Sequence, residues 1–308
     1  MSVKSKKGLS AWVSYAAVRS AFCIMQMFPI EWNLRTARLV ARFWIFVLPR
    51  HRNRAITHLK LAFGGQYTEA QYALMARQCL ESWAMSAVEV ACLPRIINRF
   101  NWSRHVRLAD FLDVLDVITR GEGVILVTGH FGPFELVGHF LASLGFDMVA
   151  VMRPLDNVYL NRFLVQSRRI HGLKLLDKKG AMKESEAILQ RGTLLGLVGD
   201  QDAGRKGMFV DFLGTPASTY KSIGLLAMQT GAPIVVGYAR RLGHDAQYEI
   251  GATRIIRKSE WETKDDPLRW ITETYTKAIE TFVRQAPEQY LWIHRRWKSQ
   301  PRRSKSAP

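Results

Sequence analysis

Negative charge is scarce in this sequence. Against 44 Lys and Arg there are 26 Asp and Glu, a surplus of +18 over 308 residues. The shortage is sharpest toward the two ends: residues 1–60 carry eleven basic side chains and a single acid, Glu31, and no acid follows Glu288. A chain so charged seeks a polyanion, whether nucleic acid, anionic lipid or an acidic protein. No recognised nucleic-acid motif is present, and the aromatic residues sit in apolar runs instead of forming a basic stacking platform, which sets nucleic acid aside. Cysteine is also sparse. Cys23, Cys79 and Cys92 are far apart, odd in number and set among apolar neighbours, which excludes a disulfide framework or a zinc site and leaves buried thiols in a reducing compartment. No second cluster of ligands has metal-binding spacing, so neither a metal nor another cofactor is expected. Internal repeats are missing, as are low-complexity tracts apart from the short C-terminal tail. The chain therefore reads as globular, with one large core or two modest ones.

Long uninterrupted hydrophobic runs are lacking too. Residues 8–30 are mostly apolar and rich in Trp12, Tyr15, Phe22, Met25, Met27 and Phe28, but Arg19 and Gln26 break the run. An arginine near the middle of a spanning helix costs about 2.5–3.5 kcal/mol on insertion scales, which disfavours a span. No small-residue cleavage site follows, so a secretory signal is not expected. Residues 39–48 place Phe43, Trp44, Ile45, Phe46 and Val47 between arginines. Apolar faces bordered by Arg and Trp suit a helix lying in a membrane interface; the competing reading is a core helix flanked by surface charge. The charge asymmetry favours the first. Residues 1–60 are thus expected to form a basic, membrane-associating helical region, 61–301 an α/β domain, and 302–308 a basic tail.

Beyond that region the rhythm changes. A helical period runs over 68–95 and is expected to stop at Pro94. Apolar strands are then predicted at 124–128, 148–152, 174–176, 194–198 and 233–238, with 248–250 as an edge strand. Helices are predicted at 134–144, 157–170, 183–190, 223–229 and 268–284. Strands apolar on both faces and alternating with helices imply an α/β fold: a largely parallel sheet with helices on both faces, plus N-terminal membrane-associated helices.

In such sheets ligands sit beyond the carboxyl ends of the strands. Three polar clusters fall there: Gly129-His130-Phe131-Gly132-Pro133-Phe134-Glu135, Arg153-Pro154-Leu155-Asp156-Asn157, and Gly199-Asp200-Gln201-Asp202-Ala203-Gly204. In the first, Gly129 lets His130 project from the strand end, and Gly132 with Pro133 suits an N-cap and first turn that would hold Glu135. The helix dipole there favours an ionised carboxylate. A carboxylate one turn from an imidazole can hold its Nδ1–H and leave Nε2 to take a proton, which suits general-base activation of an alcohol. These loops contain no G-x-S-x-G elbow and no cysteine. Direct attack by an acceptor hydroxyl on an acyl thioester is therefore favoured over a covalent acyl-enzyme. Arg168 and Arg169 could steady phosphate and developing oxyanion charge or lie on a solvated face. Asp200 could bind metal, cap a turn or orient another site residue. His51, His58, His105, His139, His171, His244 and His294 lack such company and read as structural or surface residues.

These blocks resemble the late acyltransferases of lipid A biosynthesis, within the wider lysophospholipid acyltransferase-like superfamily. The stretch from His130 to Glu135 matches that family's H-x4-D/E signature. Residues 153–157, Gln166-Ser167-Arg168-Arg169 and Asp200-Gln201-Asp202 resemble its further blocks. Ala286-Pro287-Glu288-Gln289-Tyr290-Leu291-Trp292-Ile293-His294-Arg295-Arg296-Trp297-Lys298 is similar to its C-terminal signature. The resemblance implies His130 as base, Glu135 as its partner, Arg168 as a substrate or oxyanion contact and Asp200 as a further site residue; Arg153, Asn157, Arg168 and Asp200 are the expected substrate-binding residues. It implies an acyl-carrier-protein thioester as donor. Acyl carrier proteins are strongly acidic, so the basic cluster Arg295, Arg296, Lys298, Arg302 and Arg303 is the expected docking patch, with anionic lipid competing for the same charge. The implied acceptor is a lipid A precursor or related glycolipid at the cytoplasmic face of the inner membrane. An acceptor of the lysophospholipid or aminolipid class is the alternative.

Overall fold

Among the described residues four helices precede the first strand: α1 (Leu9–Met25), α2 (Ile30–Val47), α3 (Pro49–Phe63) and α4 (Glu69–Ile96). Strands and helices then alternate as β1 (Val106–Ala109), α5 (Leu112–Thr119), β2 (Val124–Thr128), α6 (Glu135–Ser143), β3 (Met148–Met152), α7 (Val158–Arg169), β4 (Lys174–Asp177), α8 (Ala181–Gln190) and β5 (Leu194–Val198). A hairpin of β6 (Met208–Phe212) and β7 (Thr215–Thr219) follows, then α9 (Ser222–Thr230), β8 (Ile234–Arg241), β9 (Tyr248–Ile256), α10 (Lys258–Trp261) and α11 (Pro267–Gln285). This computed structural model describes residues 6–170, 172–178 and 180–301, so the tail at 302–308, with Arg302 and Arg303, lies outside the described residues.

Seven strands form one sheet in the order β1-β9-β8-β2-β5-β3-β4. Neighbours from β8 to β4 run parallel, while β9 pairs antiparallel with β8 and parallel with β1. The mostly parallel character follows from composition, because VILVT, MVAVM and LLGLV are apolar on both faces and must be covered on both. The expectation of an edge strand at 248–250 is corrected. β9 continues to Ile256 and is internal, since the short β1 (VRLA) pairs along its outer side. The β6–β7 hairpin turns through Leu213 and Gly214, both at positive φ (55° and 81°), as a tight two-residue turn requires.

Two buried clusters cover the sheet. One joins α3, the first half of α4, α8, α9 and α11, with Leu59, Val127, Leu195, Ile234 and Phe282 among its members. The other joins α2, the second half of α4, α5 and α6, including Leu34, Leu126, Leu136, Phe140 and Tyr248. α4 serves both because it is 28 residues long, or about 42 Å at 1.5 Å per residue. Its start is fixed by a capping box between Thr68 and Gln71. It also runs two residues past Pro94, which lies in its last turn. Residue 60 falls inside α3, whose Ala55 and Leu59 are fully buried in the same cluster as the strands.

No helix among the described residues is long and apolar enough to cross a membrane. α1 and α2 nevertheless leave large apolar side chains in the open: Leu9, Trp12, Val13, Ile24, Leu39, Val40, Phe43, Trp44, Phe46 and Val47 are all exposed, Phe46 by 84%.

Candidate active site

β2 and β5 are hydrogen-bonded neighbours with Thr128 opposite Val198. Two residues beyond that register stand His130 and Asp200, side by side at the carboxyl edge of the sheet. Asp200 accepts twice from His130, from the backbone N–H at 2.9 Å and from Nδ1–H at 2.8 Å. The Gln201 side-chain amide lies 3.3 Å from Nε2. The imidazole is flanked by Phe134, centroids 5.1 Å apart, and by His294, nearly parallel to it at 5.7 Å and 15°.

The partner of the imidazole is therefore Asp200, not Glu135 as the H-x4-E spacing suggested. The reason lies in the backbone: Gly132 takes φ +50° and α6 begins only at Glu135. Glu135 instead takes the Arg168 guanidinium in a two-bond fork, Nε to Oε2 and Nη2 to Oε1, both 2.8 Å. Arg168 sits in the last turn of α7 and is only 16% exposed in its side chain, with Glu135 at 30%. Arg168 Nη1 also lies 3.8 Å from the Met152 sulfur at the end of β3.

Charge and burial set the proton affinities. Burial works to lower the His130 pKa, but the Asp200 charge and hydrogen bond, with a smaller pull from Glu135, leave it raised above 6.5. Burial works to raise the Asp200 carboxyl; His130, through its charge and two hydrogen bonds, instead brings it down to about 2. His294 is lowered by burial, with His130 and Arg296 adding to the effect against the pull of Asp200. The pair thus favours Asp200 as anion, Nδ1–H fixed toward it and Nε2 as the proton-accepting nitrogen.

The C-terminal segment clamps the loop that carries His130. Leu291 N–H donates to the His130 carbonyl (3.0 Å) and Gly132 N–H to the Gln289 carbonyl (2.9 Å). The Gln289 amide bonds both the N–H and the carbonyl of Arg241 at 2.9 Å. A Cβ on Gly132 would lie 2.6 Å from the Ala239 carbonyl oxygen, so the close approach, as well as the positive φ, requires glycine. Ser86 on α4 donates to the Gly132 carbonyl at 3.0 Å and belongs to a buried network in which Arg241 is held by Glu89, Ser82 and Ser86. Arg296, expected in a surface docking patch, is buried at 1% exposure and donates to the Ser218 and Gln201 carbonyls and to Thr219 Oγ1. It braces the loop of Asp200 from below, while Arg295 and Lys298 are exposed.

The second cluster is brought less fully into the site. Asn157 caps α7, its carboxamide oxygen accepting from Tyr159 and Leu160 N–H, while its nitrogen donates to the Ala11 carbonyl at 2.8 Å. Its side chain is committed to placing α7, which carries Arg168, and to tying α1 down. Arg153 is 70% exposed in its side chain and lies 3.8 Å from Asp156. Among the described residues no group of three His, Cys, Asp or Glu is gathered as a metal ion would need.

Below Glu135 and Arg168, between α6 and the sheet, lies an apolar cavity of about 140 Å³. Phe134, Gly138, Met148, Leu173, Gly196 and Val235 are among its walls, and Glu135 with Arg168 supplies its charged rim. Gly138 and Gly196 keep it open: a Cβ on either would stand 3.4 Å and 2.6 Å from the Met148 methyl.

Sequence reasoning missed Gln201 and His294 as neighbours of His130. His294 lies within the C-terminal signature, but its nearness to His130 depends on how that segment crosses the sheet edge. A buried Nε2 with no partner among the described residues is its distinguishing mark.

The family described as bacterial lipid A biosynthesis acyltransferase matches residues 3–299. The chain is 25% identical to the lipid A biosynthesis lauroyltransferase of Escherichia coli (strain K12) over 94% of its own length and 92% of the relative's. It is 28% identical to the lipid A biosynthesis palmitoleoyltransferase of the same organism over 82% and 81%. A phosphatidylinositol mannoside acyltransferase of Mycobacterium tuberculosis is 27% identical over 51% of each chain. With the family matched over nearly all of its length, this chain belongs to the bacterial lipid A biosynthesis acyltransferases and is an O-acyltransferase.

Proposed function

We propose that the chain moves a fatty acyl group from an acyl-carrier-protein thioester to a hydroxyl of a lipid A precursor or related glycolipid, with His130 as general base. The observation that carries this reading is the His130–Asp200 pair standing beside a charged rim over an apolar cavity. His130 Nε2 takes the proton of the acceptor hydroxyl as its oxygen attacks the thioester carbonyl carbon. The tetrahedral oxyanion collapses, the C–S bond breaks, and the proton passes from Nε2 to the departing thiolate. Asp200 holds Nδ1–H and stabilises the imidazolium formed between the two steps. Arg168 faces negative charge, either the oxyanion or a phosphate of the acceptor, and the Glu135 fork fixes its direction. Glu135 is thus proposed as a positioning residue acting through Arg168, and the apolar cavity as the place of the acyl chain.

The exposed apolar faces of α1 and α2, set among arginines, support contact of residues 1–60 with the cytoplasmic face of the inner membrane while 61–301 perform the chemistry. Arg153, exposed at the end of β3, is proposed to meet the acceptor's polar headgroup. The test is acyl transfer by purified protein from acyl carrier protein to a lipid A precursor. His130→Ala is expected to lower turnover at least about 100-fold, and near-normal turnover in that well-folded variant would remove His130 from the mechanism. Lipid profiles with and without the gene identify the acceptor: loss of an acyl chain from a phospholipid instead of a glucosamine lipid would reassign it.

A further inference from the structure

α2 divides into three sectors around its axis. At 3.6 residues per turn, Leu34, Ala37, Ala41 and Ile45 form the buried stripe. Arg35, Arg38 and Arg42 run beside it, and Leu39, Phe43 and Phe46 follow on the exposed side. The arginine row therefore lies between the protein core and the open apolar face. Across from it on α4 stands Glu81, whose carboxylate is nearly buried at 5% exposure.

Three guanidiniums gather on that one carboxylate. Arg42 Nε is 2.7 Å from Oε1, Arg38 Nε 3.3 Å from Oε2 and Arg77 Nε 3.6 Å from Oε1. One negative charge against three positive leaves +2 in a single cluster. All three approach through Nε, and among the described residues their Nη nitrogens make no hydrogen bond. Joining α2 to α4 explains Arg38 and Arg42. Arg77 comes from α4 itself, at the i,i+4 spacing of an intrahelical pair, and adds a third cation to the same carboxylate. A third cation crowded onto a satisfied carboxylate costs repulsion unless an anion shares it.

We infer that Arg38, Arg42 and Arg77, ordered by Glu81, form a binding site for the phosphate of a membrane lipid headgroup. Free guanidinium forks match phosphate oxygens in number and geometry. The adjoining face of Leu39, Phe43 and Phe46, pressed into acyl chains, would bring the arginine row to the level of the phosphates. The inference rests on the reading that α1 and α2 contact a membrane.

The experiment is sedimentation of the full chain with phosphatidylcholine vesicles that contain either phosphatidic acid or, at matched zeta potential, cholesteryl hemisuccinate, whose charge is a carboxylate. The double variant Arg42→Gln/Arg77→Gln keeps the Arg38–Glu81 bridge between the helices. Arg269→Gln/Lys264→Gln removes equal charge from the region of α11. At about fivefold per basic residue near an anionic surface, the first pair is expected to weaken binding to phosphatidic acid vesicles about 25-fold. The control pair should change it by less than about threefold, and only the first should abolish the preference for phosphatidic acid over hemisuccinate. Unchanged thermal midpoints show that both variants are folded. Equal losses in the two pairs, or a phosphate preference that survives in Arg42→Gln/Arg77→Gln, overturn the site. Failure of the unaltered chain to bind either vesicle overturns the membrane reading beneath it.

Discussion

His130 owes its basicity to a residue 70 positions away in the chain. Its pKa is raised above 6.5 by Asp200 in spite of burial. The neutral imidazole is the form that accepts a proton, so kcat/KM is expected to climb with pH through a midpoint above 6.5. Asp200→Asn removes the charge that holds the proton on. The acid limb of the pH–rate profile should then move to lower pH, while the plateau falls by roughly 10²- to 10⁴-fold. An acid limb that stays in place would show that Asp200 does not tune the base. A double-mutant cycle separates the two readings of Glu135. If it acts through Arg168, Glu135→Gln and Arg168→Gln together lose little more than the worse of the two alone, while Glu135→Gln multiplies the damage of Asp200→Asn. The reverse pattern would restore a direct partnership with the imidazole. Sequence made the loops of His130, Asp200 and Arg168 legible because each polar cluster follows an apolar strand. It could not pair them correctly, because H-x4-E is a local spacing and the contact that forms depends on β2 lying next to β5.

At the level of elements, the loop that carries His130 hangs from a buried ionic network. Glu89 and Arg241 are almost wholly buried, Tyr248 Oη donates to Glu89 at 3.0 Å, and Ser86 links Arg241 to the Gly132 carbonyl. Removing one member strands a charge in the core. Arg241→Met is expected to cost about 3–5 kcal/mol in chemical denaturation, and the double variant Glu89→Leu/Arg241→Met distinctly less. A single and a double variant of equal cost would mean the buried charge is compensated elsewhere. β2, β3 and β5 could be read residue for residue because they are short runs buried on both faces. β1 and the β6–β7 hairpin could not: VRLA is four residues with an exposed arginine, and TPAST carries no hydrophobic alternation. The edge assignment at 248–250 failed with them, since nothing in the sequence announces the strand that pairs outside β9.

For the molecule as a whole, surplus positive charge is proposed to meet two anionic partners, the bilayer and an acyl carrier protein. Arg295 and Lys298 remain exposed beside the clamp, whereas Arg296 is internal. Steering by such charges acts on encounter and fades with salt. With carrier-bound donor in uncharged detergent, kcat/KM should therefore fall steeply as ionic strength rises, and with a small thioester donor much less. Equal salt sensitivity would leave no role for charge in donor docking. At the other end of the chain, membrane contact is best probed by point changes, because Leu34, Ala37 and Ala41 of α2 belong to the buried interior. Phe43→Ser/Phe46→Ser is expected to shift protein from the membrane to the soluble fraction without lowering the unfolding temperature, and unchanged partition would count against α2 as the contact. During synthesis His130 leaves the ribosome long before Gln289 and Leu291, whose backbone carbonyl and N–H hold its loop in place. The nascent enzyme would carry its proposed base in an unbraced loop and stay inert until translation has passed that segment, so that a premature stop before it yields a chain with His130 and Asp200 present and no acyl transfer.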